Sequence, residues 1–111
     1  MEKKYTTLKE FYPYYLTEHQ DPVSRALHFI GTAGFIGLLL TGLLVGPAWL
    51  MAIAPVCGYG FAWVGHFFFE RNKPATFVYP GMSLVSDFIM FWHILTGQIG
   101  RKMEEARQKV G

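Results

Sequence analysis

The amino-acid sequence predicts an all-α integral membrane bundle: a two-helix hairpin, a third membrane or re-entrant helix, and an N-terminal interfacial helix. Residues 26–69 are forty-four consecutive positions without Asp, Glu, Lys or Arg, roughly twice the length of about 20 residues that one bilayer crossing needs. The motif VGPAW at residues 45–49 places a glycine and a proline near the middle of this stretch, which indicates a turn. The chain of 111 residues suffices for one domain. We therefore expect a single membrane domain over residues 1–111.

The beginning of the chain, residues 4–18, is predicted to be an amphipathic segment on the membrane surface. Its apolar and aromatic residues recur at helical spacing on one side, although Pro13 is expected to bend or interrupt the helix. Asp21 can then cap a helix whose first position is Pro22. The first span is predicted over residues 23–45.

The remaining elements follow from the turn and from a second polar loop. Pro47 is expected to open a second span over residues 47–69, which Pro55 should kink. After the loop ERNKPATFVYPGMS, Ser83 can cap a third helix over residues 83–100, whose length is marginal for a crossing. This helix either crosses the membrane or is a shallow, re-entrant helix. The tail, residues 101–111, is predicted to be a polar, solvated helical extension.

The distribution of charge predicts an orientation. The net charge is only +2, but basic residues precede the hairpin, follow it and close the chain, while the turn at residues 45–48 has none. Because basic loops stay in the cytoplasm, the N-terminus and the 70–76 loop are expected to be cytoplasmic. The basic residues form no stripe, so no nucleic-acid partner is expected. No cleavable signal peptide is visible, and Cys57, the only cysteine, is expected to be a packing residue.

Histidines and carboxylates from distant parts of the sequence are predicted to meet at one membrane depth. His28 and His66 lie 18 and 19 residues from a turn placed between Gly46 and Pro47, which puts both about 28 Å from it at 1.5 Å per residue. His19 lies just before the first span, Glu70 one helical turn beyond His66, and Asp87 one turn into the third helix. All five are thus expected near the cytoplasmic boundary.

The spacing of these residues leaves their role open. Histidines with carboxylates suit a divalent transition metal, such as non-haem iron with open coordination positions or zinc. Alternatively, His28 and His66 could hydrogen-bond across the hairpin and staple it. Glu70 could pair with a neighbouring basic side chain, and Asp87 could cap its helix or pair with Arg25. His93 lies roughly 120° around the helix from Asp87 and is interpreted as a packing or interfacial residue.

Three stretches carry a resemblance to a known family. The segments YLTEHQDPVSRALHFIGT, GHFFFERNKPATF and SDFIMFW resemble a small membrane family whose fungal member is an iron(II)-dependent 2-hydroxy-fatty-acid dioxygenase. The resemblance runs from about Tyr14 to Gly100. It implies that a 2-hydroxy fatty acid and O₂ give a fatty acid one carbon shorter, with the carboxyl carbon leaving as CO₂. The matching positions are His19, His28, His66, Glu70, Asn72, Pro74 and Asp87.

The resemblance also implies roles for these residues. Fe(II) held by His19, His28 and His66 would keep positions open for substrate and O₂, with Glu70 or Asp87 completing the ligand set or orienting a histidine. Arg25 or Lys73 could attract the substrate carboxylate. Membrane lipids are expected partners, because the acid's oxygens would lie at the headgroup level while its alkyl chain stays in lipid.

Two other functions fit the same residues. One is a non-catalytic membrane scaffold or lipid-binding helical bundle, and the other is a zinc-dependent membrane hydrolase. Di-iron desaturases are disfavoured, because their chemistry needs more clustered histidines than the four present here. The chain is shorter than the fungal enzyme, so its acyl-binding groove is expected to differ, and a homo-oligomer is left open.

Overall fold

The computed structural model describes residues 5–110, and the regular elements within this range are all helical. The predicted all-α class is therefore confirmed. Lys4, at the start of the predicted interfacial segment, and Gly111, at the end of the predicted tail, lie outside the described residues. The elements are α1 (Leu8–Thr17), α2 (Pro22–Leu44), α3 (Leu50–Val64), a π-helical turn (Gly65–Glu70) that continues α3, a 3₁₀ turn (Ala75–Phe77), α4 (Pro80–Leu95) and α5 (Ile99–Val110).

Helix α2 begins where the capping pattern in the sequence predicts. The Asp21 side chain accepts hydrogen bonds from the backbone N–H groups of Val23 and Ser24, and Pro22 occupies the first helical position. These bonds satisfy two of the N–H groups that a helix start leaves without a partner, and proline has no N–H to satisfy there. The start of α2 is thus set locally.

The turn between α2 and α3 is longer than the sequence pattern indicated. Gly46 has a φ of 86°, which glycine adopts without strain, and α3 begins at Leu50 instead of at Pro47. The Leu50 N–H donates to the Pro47 carbonyl at 3.1 Å, and the Met51 N–H donates to the Ala48 carbonyl at 3.1 Å. These bonds span three residues, so the chain reverses through a tight turn before it becomes α-helical.

Glycines on α2 allow α3 to pack closely against it. A Cβ atom placed on Gly31 would lie 2.9 Å from Phe61 Cβ and 3.0 Å from the Gly58 carbonyl oxygen, whereas one placed on Gly37 would have no neighbour within 4 Å. The first separations are shorter than van der Waals contact, so this approach needs a residue without a side chain.

We expect Gly31→Ala to destabilise the protein by about 1–3 kcal/mol, because the added methyl group has no space. The matched change Gly37→Ala is expected to be neutral or to stabilise by up to about 1 kcal/mol, because alanine favours a helix. Thermal unfolding of the two variants tests the difference. Equal melting temperatures would show that the contact at Gly31 contributes nothing.

Helix α4 and the tail differ from the predicted third helix. Ser83 does not cap α4, which begins at Pro80. It is buried inside the helix, and its Oγ accepts a hydrogen bond of 3.1 Å from Thr76. The helix ends at Leu95, and Gly97 with a φ of 75° separates it from α5. The tail forms α5, in which Met103 and Ala106 are buried and most other residues are exposed, so it is only partly the solvated extension that was predicted.

A buried apolar cluster lies among α1, α4, α5 and the 3₁₀ turn, next to the hairpin. Helix α1 continues through Pro13 and buries its apolar face in this cluster. The members of the cluster are Phe11, Tyr15, Leu16, Ala75, Tyr79, Met90, Met103 and Ala106. Helices α1 and α5, which are more polar than the hairpin, therefore supply five of the eight members of this cluster.

The hairpin, by contrast, exposes apolar side chains around its tip. Leu44 and Val45 are 75% and 83% exposed, and Trp49 and Val56 are also exposed. Within the described residues, two helical segments, Pro22–Leu44 and Leu50–Glu70, are long and apolar enough to cross a membrane.

Candidate metal centre

Three histidines meet at the open end of the hairpin. His19 precedes α2, His28 lies two turns into α2, and His66 lies in the π-helical turn. All three are buried, their ring centroids are 4.3–4.9 Å apart, and their candidate ligand atoms all lie within 4.8 Å of one another. The structure therefore brings together the three residues that the sequence analysis proposed as metal ligands.

Each histidine ring is held by a hydrogen bond at its Nδ1 atom. His19 Nδ1 lies 2.5 Å from the Tyr15 carbonyl oxygen, and His28 Nδ1 lies 2.8 Å from the Ser24 carbonyl oxygen. His66 Nδ1 lies 2.7 Å from Asn72 Oδ1. These oxygens can only accept, so each Nδ1 carries the proton and donates it. In a neutral ring the Nε2 atom then carries a lone pair, which is the form that binds a metal.

The arrangement of the Nε2 atoms fits a metal ion. The Nε2 atoms of His19 and His28 are 3.0 Å apart. Two lone pairs at this distance repel each other, whereas a cation bound at about 2.0–2.1 Å from each nitrogen would use both. Burial lowers the pKa of His19 well below its ordinary value, and the adjacent His28 and His66 rings lower it further. His19 is therefore neutral at pH 7 and able to act as a ligand.

The π-helical turn places His66 against the start of α2. A Cβ atom on Gly65 would lie 2.8 Å from Ser24 Oγ, so the end of α3 approaches α2 closely here. The turn ends at Arg71, which has a left-handed φ of 60°, and the Asn72 N–H then donates to the His66 carbonyl at 3.0 Å. Single π-helical turns of this kind are frequent at functional sites.

Asn72 connects this turn to the end of α1. Its Oδ1 atom accepts from His66 Nδ1, and its Nδ2 atom donates to the Glu18 carbonyl at 3.1 Å. From the sequence, Asn72 was interpreted as a turn residue and as a matching family position, without a partner for its side chain. The structure shows that one carboxamide orients His66 and joins it to the segment that carries His19.

Two residues proposed for catalysis instead hold the loop between His19 and α2. Glu70 Oε2 accepts a hydrogen bond of 2.9 Å from the Asp21 N–H, and Arg25 Nη1 donates to the His19 carbonyl at 2.7 Å. Glu70 thus bonds the backbone of this loop, and Arg25, one of the basic residues considered as its partner, is near enough for its charge to attract the Glu70 carboxylate. Neither residue belongs to the histidine cluster.

Asp87 is close to the cluster but has a different partner from the one expected. Its carboxylate accepts a short hydrogen bond from the Tyr15 hydroxyl, and not from Arg25. Burial raises the pKa of Tyr15 well above its ordinary value, and the negative charge of Asp87 raises it further. Tyr15 thus stays protonated at neutral pH and remains the donor in this pair.

Sequence reasoning did not assign Tyr15 to the site. Its carbonyl accepts from the His19 ring one turn later, which any residue at that position could do. The sequence therefore carried no signal specific to Tyr15. His93 lies outside the cluster, with its Nδ1 atom 2.7 Å from the Tyr12 hydroxyl, in agreement with the packing role predicted for it.

Two small cavities adjoin the cluster. One, of about 10 Å³, lies beside His28 and His66 and has polar residues such as Ser83, Thr76 and Asp87 in its wall. The other, of about 30 Å³, lies between α2, α3 and α4 and is lined mainly by apolar residues, together with His28 and Asp87. A ligand with a polar end and an apolar end could therefore lie next to the histidines.

The comparison with known families agrees with this geometry. The model of the family described as "2-hydroxy-palmitic acid dioxygenase Mpo1-like" matches residues 5–99, a range that contains the three histidines, Asn72 and Asp87. No curated protein and no solved structure matches the chain significantly. Since the matched range covers most of the 111 residues, the chain belongs to the 2-hydroxy-palmitic acid dioxygenase Mpo1-like family.

Proposed function

We propose that this protein is an Fe(II)-dependent dioxygenase that shortens 2-hydroxy fatty acids by one carbon at a membrane interface. The observation that carries the proposal is the convergence of three buried imidazoles, each with its Nδ1–H bonded to a fixed acceptor and with candidate ligand atoms that all lie within 4.8 Å of one another. The family description, which names a 2-hydroxy acid and a dioxygenase, supports the substrate class and the reaction. Imidazole is a suitable ligand for iron.

The proposed reaction consumes one O₂ for each acid. A 2-hydroxy acid and O₂ give the acid shortened by one carbon, CO₂ and water. The bond between the carboxyl carbon and the hydroxyl-bearing carbon breaks, and O₂ accepts the four electrons released. The iron, when bound by His19, His28 and His66, would supply the activation of O₂, which no amino-acid side chain provides.

The protein's own side chains would orient the ligands and the substrate. Arg25 and Glu70 hold the loop that carries His19, so we propose that they are positioning residues for the histidines. Asp87, held by Tyr15, lies in the wall of both cavities and would face the head of the acid. Ser83 and Thr76 also offer hydroxyl groups in the wall of the smaller cavity.

Membrane insertion of the hairpin is part of the proposal. The exposed leucines, valines and tryptophan around its tip would be stabilised by lipid. The residues just before α1 and α4 are in contact, because the Tyr79 hydroxyl accepts from the Tyr5 N–H, and near the other end of α4 His93 bonds Tyr12 of α1. This contact pattern supports a shallow α4 over a crossing one. The charge distribution supports a cytoplasmic location for the open end of the hairpin.

The first experiment is to purify the protein in detergent without chelator and to measure its metals by plasma mass spectrometry. We expect about one iron per chain, after anaerobic loading if necessary, and O₂ consumption with 2-hydroxyhexadecanoic acid that yields pentadecanoic acid. Hexadecanoic and 3-hydroxyhexadecanoic acids are the controls and should not be consumed. An iron-loaded protein that leaves the 2-hydroxy acid unchanged would refute the proposal.

A zinc hydrolase is the second candidate, because the cluster consists of three histidines without a carboxylate among its ligand atoms. Three histidines with an open position also form catalytic zinc sites. Stoichiometric zinc that iron does not replace, together with no O₂ consumption, would favour this function. A protein that binds neither metal would instead be consistent with a scaffold in which the histidines hold helices together.

A further inference from the structure

The two cavities beside the histidines meet at a common wall. His28, Asp87, Tyr59 and Ala62 line both of them. The smaller cavity is bordered by hydroxyl groups, whereas the larger is bordered by Phe35, Pro55 and Phe88. The smaller cavity beside the histidines is therefore polar, and the larger cavity that adjoins it is mainly apolar.

The apolar cavity opens toward the outer surface of the bundle. Leu84 and Phe88, on its α4 side, are 41% and 36% exposed, and Phe88 packs against Phe35 of α2 with ring centroids 5.7 Å apart. Because Phe35 belongs to the hairpin, the exposed edge of the cavity adjoins helix α2. The volume of about 30 Å³ holds only a few atoms, so the gap encloses a short stretch of a ligand and leaves the rest outside.

We infer that the alkyl chain of the substrate leaves the metal centre through this gap between α2, α3 and α4 and continues into lipid. This inference rests on the proposed function and assigns the substrate a path through the protein. Carbons next to the head group are enclosed between Gly58, Ala62 and Phe88, whereas more distant carbons contact lipid. The protein thus selects against bulk near the carboxyl group and does not measure the length of the chain.

Gly58 offers a way to narrow the gap without disturbing the fold. A Cβ atom there would lie 3.5 Å from Phe35 Cβ, an ordinary van der Waals contact. Gly60 is the matched control, because it lies on the same helix and a Cβ atom there would have no neighbour within 4 Å. Both changes replace a helical glycine by alanine and have the same effect on helix propensity.

The kinetic test compares the iron-loaded wild type with Gly58→Ala and Gly60→Ala. For the wild type we expect kcat/KM to change by less than about threefold between 2-hydroxy acids of 14 and 20 carbons, because a closed pocket would discriminate each methylene by about tenfold or more. Gly58→Ala should lower kcat/KM by about tenfold, because the added methyl group narrows the gap. The decrease should be largest for 2-hydroxy acids that carry a branch at carbon 3. Gly60→Ala should equal the wild type. A strong preference for one chain length, or an unchanged Gly58→Ala, would overturn the inference.

A second test locates the chain without using activity. A 2-hydroxy acid that carries a photoreactive diazirine a few carbons from the hydroxyl group is irradiated with the protein, with or without metal, and the labelled peptides are sequenced. Labels on α2, α3 and α4 around Phe35, Gly58 and Phe88, removed by excess 2-hydroxyhexadecanoic acid, would support the path. Labels elsewhere, or no competed label, would refute it. If labels appear there but O₂ is not consumed, the path stands and the dioxygenase proposal fails.

Discussion

Replacing His28 or His66 by alanine is expected to remove the metal from the purified protein and to lower O₂ consumption to background, a loss of at least about a hundredfold. Mutation of a residue that only orients a ligand already costs about 10–100-fold in metal affinity or activity, and loss of the ligand itself should cost more. The two imidazoles that remain would leave the ion with fewer protein ligands than a site of this kind needs. Plasma mass spectrometry and an oxygen electrode measure both quantities.

The matched control for these variants is His93→Ala. His93 bonds Tyr12 outside the cluster, so its loss should leave the metal content and O₂ consumption unchanged. Circular dichroism and gel filtration should show that all three variants remain folded. If His28→Ala and His66→Ala still bind one metal per chain, the three-histidine centre proposed here is wrong and the metal is bound elsewhere.

The second large effect is expected at Asn72, which binds no metal. Asn72→Ala removes the acceptor of the His66 Nδ1–H and the donor to the Glu18 carbonyl in one change. His66 can then rotate and adopt the other tautomer, so metal affinity should fall about 10–100-fold. Competition with a chelator of known affinity measures this loss directly.

Asn72→Asp tests separately the two hydrogen bonds that the Asn72 side chain makes. An aspartate can still accept from His66, but it cannot donate to the Glu18 carbonyl, so metal affinity should lie between those of the wild type and Asn72→Ala. Gln108→Ala is the control, because it removes an exposed carboxamide on α5. If Asn72→Ala binds metal as tightly as the wild type, the hydrogen bond to His66 does not orient the ligand.

The fold class and the meeting of the histidines were predictable because they depend on long-range regularities of the sequence. A stretch of forty-four uncharged residues with a turn in its middle restricts the chain to a hairpin. In a hairpin, residues equally distant from the turn lie side by side, which is why His28 and His66 could be paired without a structure. The cap formed by Asp21 and Pro22 was predictable for the opposite reason, since it depends on neighbouring residues alone.

The partners of the polar side chains were not predictable in the same way. Glu70 and Asp87 were assigned to the metal, to the orientation of a histidine or to an ion pair, and Arg25 to the substrate carboxylate or to such a pair. In the structure, the hydrogen bonds of these three side chains are to backbone or hydroxyl groups. Charge and spacing along one helix define which face a side chain occupies, but not which group on another helix meets it. The bond between Tyr15 and Asp87 joins residues 72 positions apart and depends on how α1 packs against α4.

The sequence alone therefore determined the helical class, the hairpin and the level along the hairpin at which its histidines meet, because periodicity, length and charge act through local geometry. Only the tertiary structure decided that α1, α4 and α5 form a buried cluster beside the hairpin and that a π-helical turn aims His66 at His19 and His28. It also decided which oxygen atom accepts the hydrogen bond from the Nδ1 atom of each histidine. These features arise from contacts between segments far apart in the chain. If one helix were shifted by a single residue, its side chains would turn by about 100° and meet different groups on the neighbouring helices.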